Sequence, residues 1–229
     1  MSLEKKSTHV RLSPENHERA KALAEIKGKD LAQYLAYLLE KEIAGEWHVL
    51  NLQAKTFERL VIGQIMETQG PNPGQDPLEY YLKVVADKTG SLIATSARFG
   101  ALLSGAPREI TETLTKFGEQ IGIAFQLADD IIDIASESHE SGKTPGTDLR
   151  EGIPTLVTLN VMNSTASKDR ALIKLLKAPI KDEAVVAQVL KELRTHDAIA
   201  QSRAQLLDIA RDARTALGPL PVNDVTGAL

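Results

Sequence analysis

Apolar residues recur every three or four positions across Leu31–Ile43, Phe57–Met66, Leu78–Leu103, Ile110–Ile134, Val185–Leu193 and Ile199–Leu217. That period puts them on one face of a helix, so most of the chain is expected to be helical. Pro14 and Pro107 stand where a helix begins, Ser13 is a candidate cap before Pro14, and Gly28 and Gly45 stand just past expected ends. A period of two appears once. Val10 and Leu12 alternate with His9 and Arg11, which predicts a strand over Thr8–Ser13. Gly70–Pro77 and Ser136–Gly152, rich in glycine and polar residues, read as loops. The expected class is mainly α: a small strand–helix–helix unit over residues 1–47, a boundary in Trp47–Gln53, and long apolar helices over residues 54–229.

The 229 residues include no Cys, which removes disulfide scaffolds, thiolate metal sites and cysteine nucleophiles. Hydrophobic and charged fractions of 42% and 25% are those of a globular chain. The N-terminus lacks the apolar stretch of a signal peptide, and no run approaches the ~20 apolar residues of a membrane span. A cytoplasmic protein is expected. The net charge of −4 is uneven: residues 1–29 hold seven Lys/Arg against four Glu, a local +3 on an otherwise acidic chain. Such a leader is either a solvated arm or a contact surface for an anionic partner.

Chemistry concentrates in Phe125-Gln126-Leu127-Ala128-Asp129-Asp130-Ile131-Ile132-Asp133. Asp129 and Asp133 are four residues apart on one helix face, with Asp130 beside them and Gln126 one turn earlier. Like charges at this spacing repel, so the arrangement calls for a cation. Hard oxygen ligands suit Mg²⁺, which takes one or two carboxylates and completes its shell with water and phosphate oxygens. Ile121, Ile123, Phe125, Ile131, Ile132 and Ile134 make the rest of this helix apolar, which predicts burial. Downstream, Gly142-Lys143 lies in a loop able to fold back over the aspartates. Upstream, Lys88-Thr89-Gly90 places a cation and a hydroxyl in an apolar stretch, where both need an anionic partner.

These residues resemble the trans-prenyl (polyprenyl) diphosphate synthases. The run Gly122–Asp133, then Gly142-Lys143 and Gly146-Thr147-Asp148-Leu149-Arg150-Glu151-Gly152 with Pro154-Thr155-Leu156, resembles that family's second aspartate-rich region. Asp87-Lys88-Thr89-Gly90-Ser91-Leu92 resembles its Lys-Thr diphosphate segment, and Leu206–Leu220 its C-terminal helices. The resemblance covers about residues 54–229 and implies the all-α isoprenoid synthase fold. It also implies a prenyltransferase of isoprenoid biosynthesis, in which Mg²⁺ draws the diphosphate from an allylic substrate and isopentenyl diphosphate attacks the carbocation. No covalent nucleophile takes part. By carry-over, Asp129, Asp130 and Asp133 hold the metal, while Lys88, Thr89, Gln126 and Lys143 contact diphosphate; a homodimer is expected.

The family's first aspartate-rich motif and its arginine pair have no counterpart, since no Asp-Asp pair precedes Asp129. Ile153 stands where many members carry a basic residue, and Val157 where Pro is common. A truncated enzyme is therefore expected, its missing jaw absent or supplied by a second chain, and 229 residues fall short of the roughly 300 of a whole synthase. Residues 7–45 more weakly resemble a ribbon-helix-helix DNA-binding module, an obligate dimer. That resemblance implies base reading by Ser7, His9 and Arg11, with phosphate contacts from Lys5, Lys6 and the second helix start near Lys29-Asp30, and so duplex DNA bound through residues 5–30. The alternative function is then a dimeric DNA-binding regulator with a catalytically dead synthase half.

Overall fold

In the computed structural model, the described residues are 13–135 and 144–227, and all regular structure among them is helical. The expected strand Thr8–Ser13, together with Lys5, Lys6, Ser7, His9, Arg11 and Lys143, falls essentially outside them. Chain contacts divide the molecule into units 1–52 and 53–229.

In the first unit, α1 (Pro14–Ile26) starts on Ser13, whose hydroxyl accepts from the Asn16 amide at 3.3 Å. It stops at Gly28, whose φ of +62° is open to glycine at no steric cost. Helix α2 (Leu31–Gln69) opens with a reciprocal cap: the Gln33 amide donates to Asp30 at 2.8 Å and the Asp30 amide to the Gln33 side chain at 3.2 Å. One correction follows. Gly45 does not end the second helix, which continues to Gln69, far beyond the Ala44 limit of a ribbon-helix-helix unit. At the start of this helix the Asp30 carboxylate accepts from the Gln33 amide, and Lys29 lies over the Tyr37 ring at 5.6 Å.

In the second unit, Gly70 closes α2 with φ +71°. Asp76 then caps α3 (Pro77–Val85) by accepting from the Leu78 and Glu79 amides at 2.7 and 3.0 Å. A π-helical turn, Ala86–Gly90, joins α3 to α4 (Ser91–Leu103), and α5 (Arg108–Ala135) follows. Glycines bring α4 and α5 together in antiparallel array: Gly118 faces Ala94, and Gly122 faces Gly90. Beyond α5 come α6 (Thr147–Glu151), α7 (Leu156–Met162), a 3₁₀ turn (Ser167–Asp169), α8 (Arg170–Leu175), α9 (Glu183–Arg194), α10 (Asp197–Ala216) and the short α11 (Asp224–Gly227). The expected loop Ser136–Gly152 thus contains a helical turn, capped by Gly146 at φ +78°.

Two apolar clusters organise this unit. The larger joins Ile131 and Ile134 of α5 to Leu149, Val157, Val161, Val186, Val189 and Leu193. The smaller, Tyr81, Val85, Leu127, Leu156 and Leu159, fixes α3 and α7 against α5 and forms one wall of the candidate site. Burial of α5 is one-sided. Ile131 and Ile134 are inside, whereas Phe125 and Ile132 are 63% and 45% exposed, against the expectation of an apolar helix enclosed all round. No described helix is long and apolar enough to cross a membrane.

Candidate diphosphate and metal site

The Asp87-Lys88-Thr89 segment sits on the π-helical turn, which α2 and α5 clamp from two sides. Gly63 lies so close that an added Cβ would stand 2.8 Å from the Lys88 amide nitrogen, and a Cβ on Gly122 would stand 2.7 Å from the Gly90 Cα. Charge fixes the same turn. Asp87, 5% exposed, accepts from Arg59 Nε at 2.9 Å and Lys83 Nζ at 2.7 Å, and Arg59 also donates to Glu119 at 2.5 Å. Burial alone would raise the Asp87 pKa, but the Lys83 and Arg59 hydrogen bonds outweigh it and hold the carboxyl below its usual range.

From this turn a chain of hydrogen bonds crosses to α5. Thr89 Oγ1 donates to Gln126 Oε1 at 3.0 Å, Gln126 Nε2 donates to Asp130 Oδ1 at 3.1 Å, and the Tyr81 hydroxyl donates to Asp130 Oδ2. Both Asp130 oxygens are therefore engaged within the protein, unlike the three equivalent aspartates of the sequence expectation. Burial pushes the Asp130 pKa up; the Tyr81 and Gln126 bonds oppose this, and neighbouring Asp129 adds to it. Burial and the Asp130 charge likewise raise the Tyr81 pKa.

Asp133, one turn on, faces the loop instead. Its carboxylate accepts from the Thr147 and Asp148 amides at 3.3 and 3.4 Å, while its carbonyl accepts from the Gly146 amide at 3.0 Å. Burial raises its pKa and those amides counter the effect. Arg150 anchors the loop through Pro145 O at 2.7 Å and a two-pronged pair with Glu183 at 2.8 and 2.7 Å. Asp148, half-buried and surrounded by Asp133, Asp130, Glu151 and Asp129, has its pKa pushed up to about 7, burial being the largest cause.

A raised carboxyl pKa gives the stability curve a definite sign. The folded chain binds the Asp148 proton more tightly than the unfolded one. This contribution is complete below the unfolded value near 4 and is lost as pH rises through about 7. The full shift corresponds to about 4 kcal/mol, which solvent access reduces to about 2 kcal/mol. The chain is therefore expected to melt several degrees lower at pH 8 than at pH 5, and Asp148→Asn is expected to remove about half of that difference. Melting curves of both proteins at the two pH values check this; an unchanged pH slope in the variant would refute it.

The polar chain opens on a cavity of about 480 Å³ in the second unit. Lys88, Thr89, Gln126, Asp130 and Asp148 line its polar side, and Tyr81, Val85, Leu159 and Met162 its apolar side. Lys88, Thr89, Gln126 and Asp130 thus come together, while Asp129 and Asp133 lie outside the cavity lining. Lys88 Nζ donates to both Glu67 oxygens at 2.9 and 2.7 Å. Sequence reasoning did not assign Tyr81, Glu67 or Asp148. Asp148 stands inside the Gly146–Gly152 motif and was within reach, whereas Tyr81 reads as an ordinary core aromatic. Among the described residues, no three His, Cys, Asp or Glu side chains converge on one point. The donor set still fits a hard divalent ion, because two carboxylates at i and i+4 suffice for Mg²⁺ when phosphate and water supply the rest. The charge accumulated around Asp148 also favours a cation there.

The profile of the polyprenyl synthetase family matches residues 17–193. Among curated relatives, nonaprenyl diphosphate synthase of Mycobacterium tuberculosis is 47% identical over 178 residues, covering 78% of this chain and 52% of that protein. Heptaprenyl diphosphate synthase component 2 of Geobacillus stearothermophilus is 35% identical over 176 residues, covering 77% and 54%. The structure of geranylgeranyl pyrophosphate synthase from Corynebacterium glutamicum, complexed with calcium and isoprenyl diphosphate, superposes with a TM-score of 0.74 at 34% identity, over 94% of this chain and 66% of that one. The helices and their order are those of the all-α isoprenoid synthase fold. The chain belongs to the polyprenyl synthetase family, and it spans about half the length of the curated relatives it matches. The match begins at residue 17, so most of the segment expected to form a DNA-binding module falls within the synthetase match, and nothing here supports that module.

Proposed function

We propose that this chain carries a diphosphate-binding half of a prenyl-transferring site, taking isopentenyl or allylic diphosphates together with Mg²⁺. The observation that carries the reading is the continuous chain Thr89–Gln126–Asp130–Tyr81 along one cavity that also contains Lys88. In this reading Asp129 and Asp133 hold the ion, Asp133 being met by long amide contacts of 3.3 and 3.4 Å, while Asp130, bound by the Tyr81 and Gln126 side chains, positions Gln126 rather than ligating. Lys88, Thr89 and Lys143 meet phosphate oxygens, the first two held in place by the clamped π-helical turn. Bound Mg²⁺ supplies neutralisation of the diphosphate charge, which makes it a better leaving group. The apolar wall of Tyr81, Val85, Leu159 and Met162 keeps water from an isoprenoid chain.

Condensation by this chain alone is not expected, because residues 1–128 contain no second pair of aspartates. Asp129 lies between exposed Phe125 and exposed Ile132 on α5, a side that a second polypeptide with its own carboxylates would cover. The test is thermal stabilisation. Isopentenyl diphosphate with Mg²⁺ at about a hundred times its dissociation constant should raise the melting temperature by about 5 °C or more. Neither component alone should do so, and Asp129→Ala should abolish the shift. An equal shift in Asp129→Ala would overturn the assignment.

A further inference from the structure

We infer that Glu67 is an internal competitor for the anion at Lys88 and restricts the site to diphosphate that arrives with its metal. The inference rests on the diphosphate reading above. Lys88 commits two of its ammonium contacts to one carboxylate, at 2.7 and 2.9 Å, and that carboxylate is itself steadied by Gln64 Nε2 at 2.9 Å. Both partners are more than half shielded, with side-chain exposures of 38% for Lys88 and 20% for Glu67, so water screens the pair only in part. Both line the cavity, where Lys88 is the one cation among the described lining residues, which include the carboxylates Glu67, Asp130, Asp148 and Glu151.

The consequence is a filter on charge. A bare diphosphate must displace the Glu67 carboxylate from Lys88 or lie against it, and in both cases meets like charge. A diphosphate that carries a divalent ion brings positive charge that offsets most of this repulsion. Glu67 therefore sets ligand specificity through Lys88 and acts as a positioning residue.

Glu67→Gln tests this, since it keeps the side-chain length and a partner for Gln64 while removing the charge. Titrations use the full chain, inorganic pyrophosphate as the probe, and either EDTA or saturating Mg²⁺. In EDTA, Glu67→Gln should bind pyrophosphate about tenfold more tightly than wild type, the scale of one charge-assisted hydrogen bond. With Mg²⁺ the two should agree within about threefold. The gain should vanish when Lys88→Ala is added, and Glu67→Asp, which keeps the charge, should behave as wild type. A structural role for Glu67 would not raise affinity. Equal metal-free affinity of wild type and Glu67→Gln overturns the inference, as does a gain that survives Lys88→Ala. Failure of wild type and variant to bind pyrophosphate even with Mg²⁺ overturns the diphosphate reading itself.

Discussion

Gly122→Ala should lower the stability of the chain by about 2 kcal/mol, although alanine favours a helix over glycine by about 1 kcal/mol. The reason is a backbone contact. The new Cβ would stand 2.7 Å from the Gly90 Cα and 3.3 Å from the Gly90 nitrogen, with no flexible side chain in between to give way. Helix α5 must then move off the π-helical turn, which separates Thr89 from Gln126 and breaks the polar chain at its first bond. Gly100 of α4 is the control: nothing lies within 4 Å of its would-be Cβ, so Gly100→Ala should stabilise the fold by about 0.5–1 kcal/mol. Denaturant midpoints of the two variants shifted in opposite directions would bear out the close approach of α5 to the π-helical turn. A stabilised Gly122→Ala would contradict it.

Leu127→Ala should cost about 3–4 kcal/mol. Leu127 is 0% exposed on α5 and packs among Tyr81, Val85, Leu156 and Leu159, so truncation leaves a void that three helices border. Tyr81 and Leu159 also line the cavity, so the loss reaches function: a loosened Tyr81 no longer fixes Asp130. Urea unfolding should show a lower midpoint at unchanged slope. A loss below about 1 kcal/mol would mean that α3, α5 and α7 do not meet at this point.

Helix existence in the second unit was legible because the three-to-four-residue apolar period is strong there: Ile110–Ile134 reads almost the whole of Arg108–Ala135. The Pro- and Gly-bearing stretch Gly70–Pro77 does join α2 to α3. Gly45 misled, since a lone glycine costs a helix only about 1 kcal/mol and the apolar pattern on either side overrides it. Periodicity also treats a π-helical turn as ordinary helix, so Leu78–Leu103 reads as one element although Ala86–Gly90 differs. Side-chain burial was the least legible property. A helix with isoleucines on several faces is enclosed only where other elements cover it, and Phe125 and Ile132 stay 63% and 45% exposed.

The site divides along the same line. Lys88, Thr89, Gln126 and the aspartates stand in short runs whose residue types announce their chemistry. The partners that hold them do not. Tyr81 meets Asp130 across 49 positions, and Arg59 meets Asp87 and Glu119 across 28 and 60. Such pairs depend on how the helices pack, which no local pattern encodes. The same packing distinguishes Asp130, engaged by Tyr81 and Gln126, from Asp133, which faces the Gly146–Asp148 loop.

The central claim is that this chain binds diphosphate through a divalent ion held by Asp129 and Asp133. The ³¹P spectrum of inorganic pyrophosphate tests it most directly, recorded with and without the chain, with and without Mg²⁺. The resonance is expected to broaden and shift when chain and Mg²⁺ are both present, to stay sharp at the same concentration in EDTA, and to stay sharp with Asp133→Ala. A resonance that never responds to the chain, or that broadens equally with Asp133→Ala, would contradict the account.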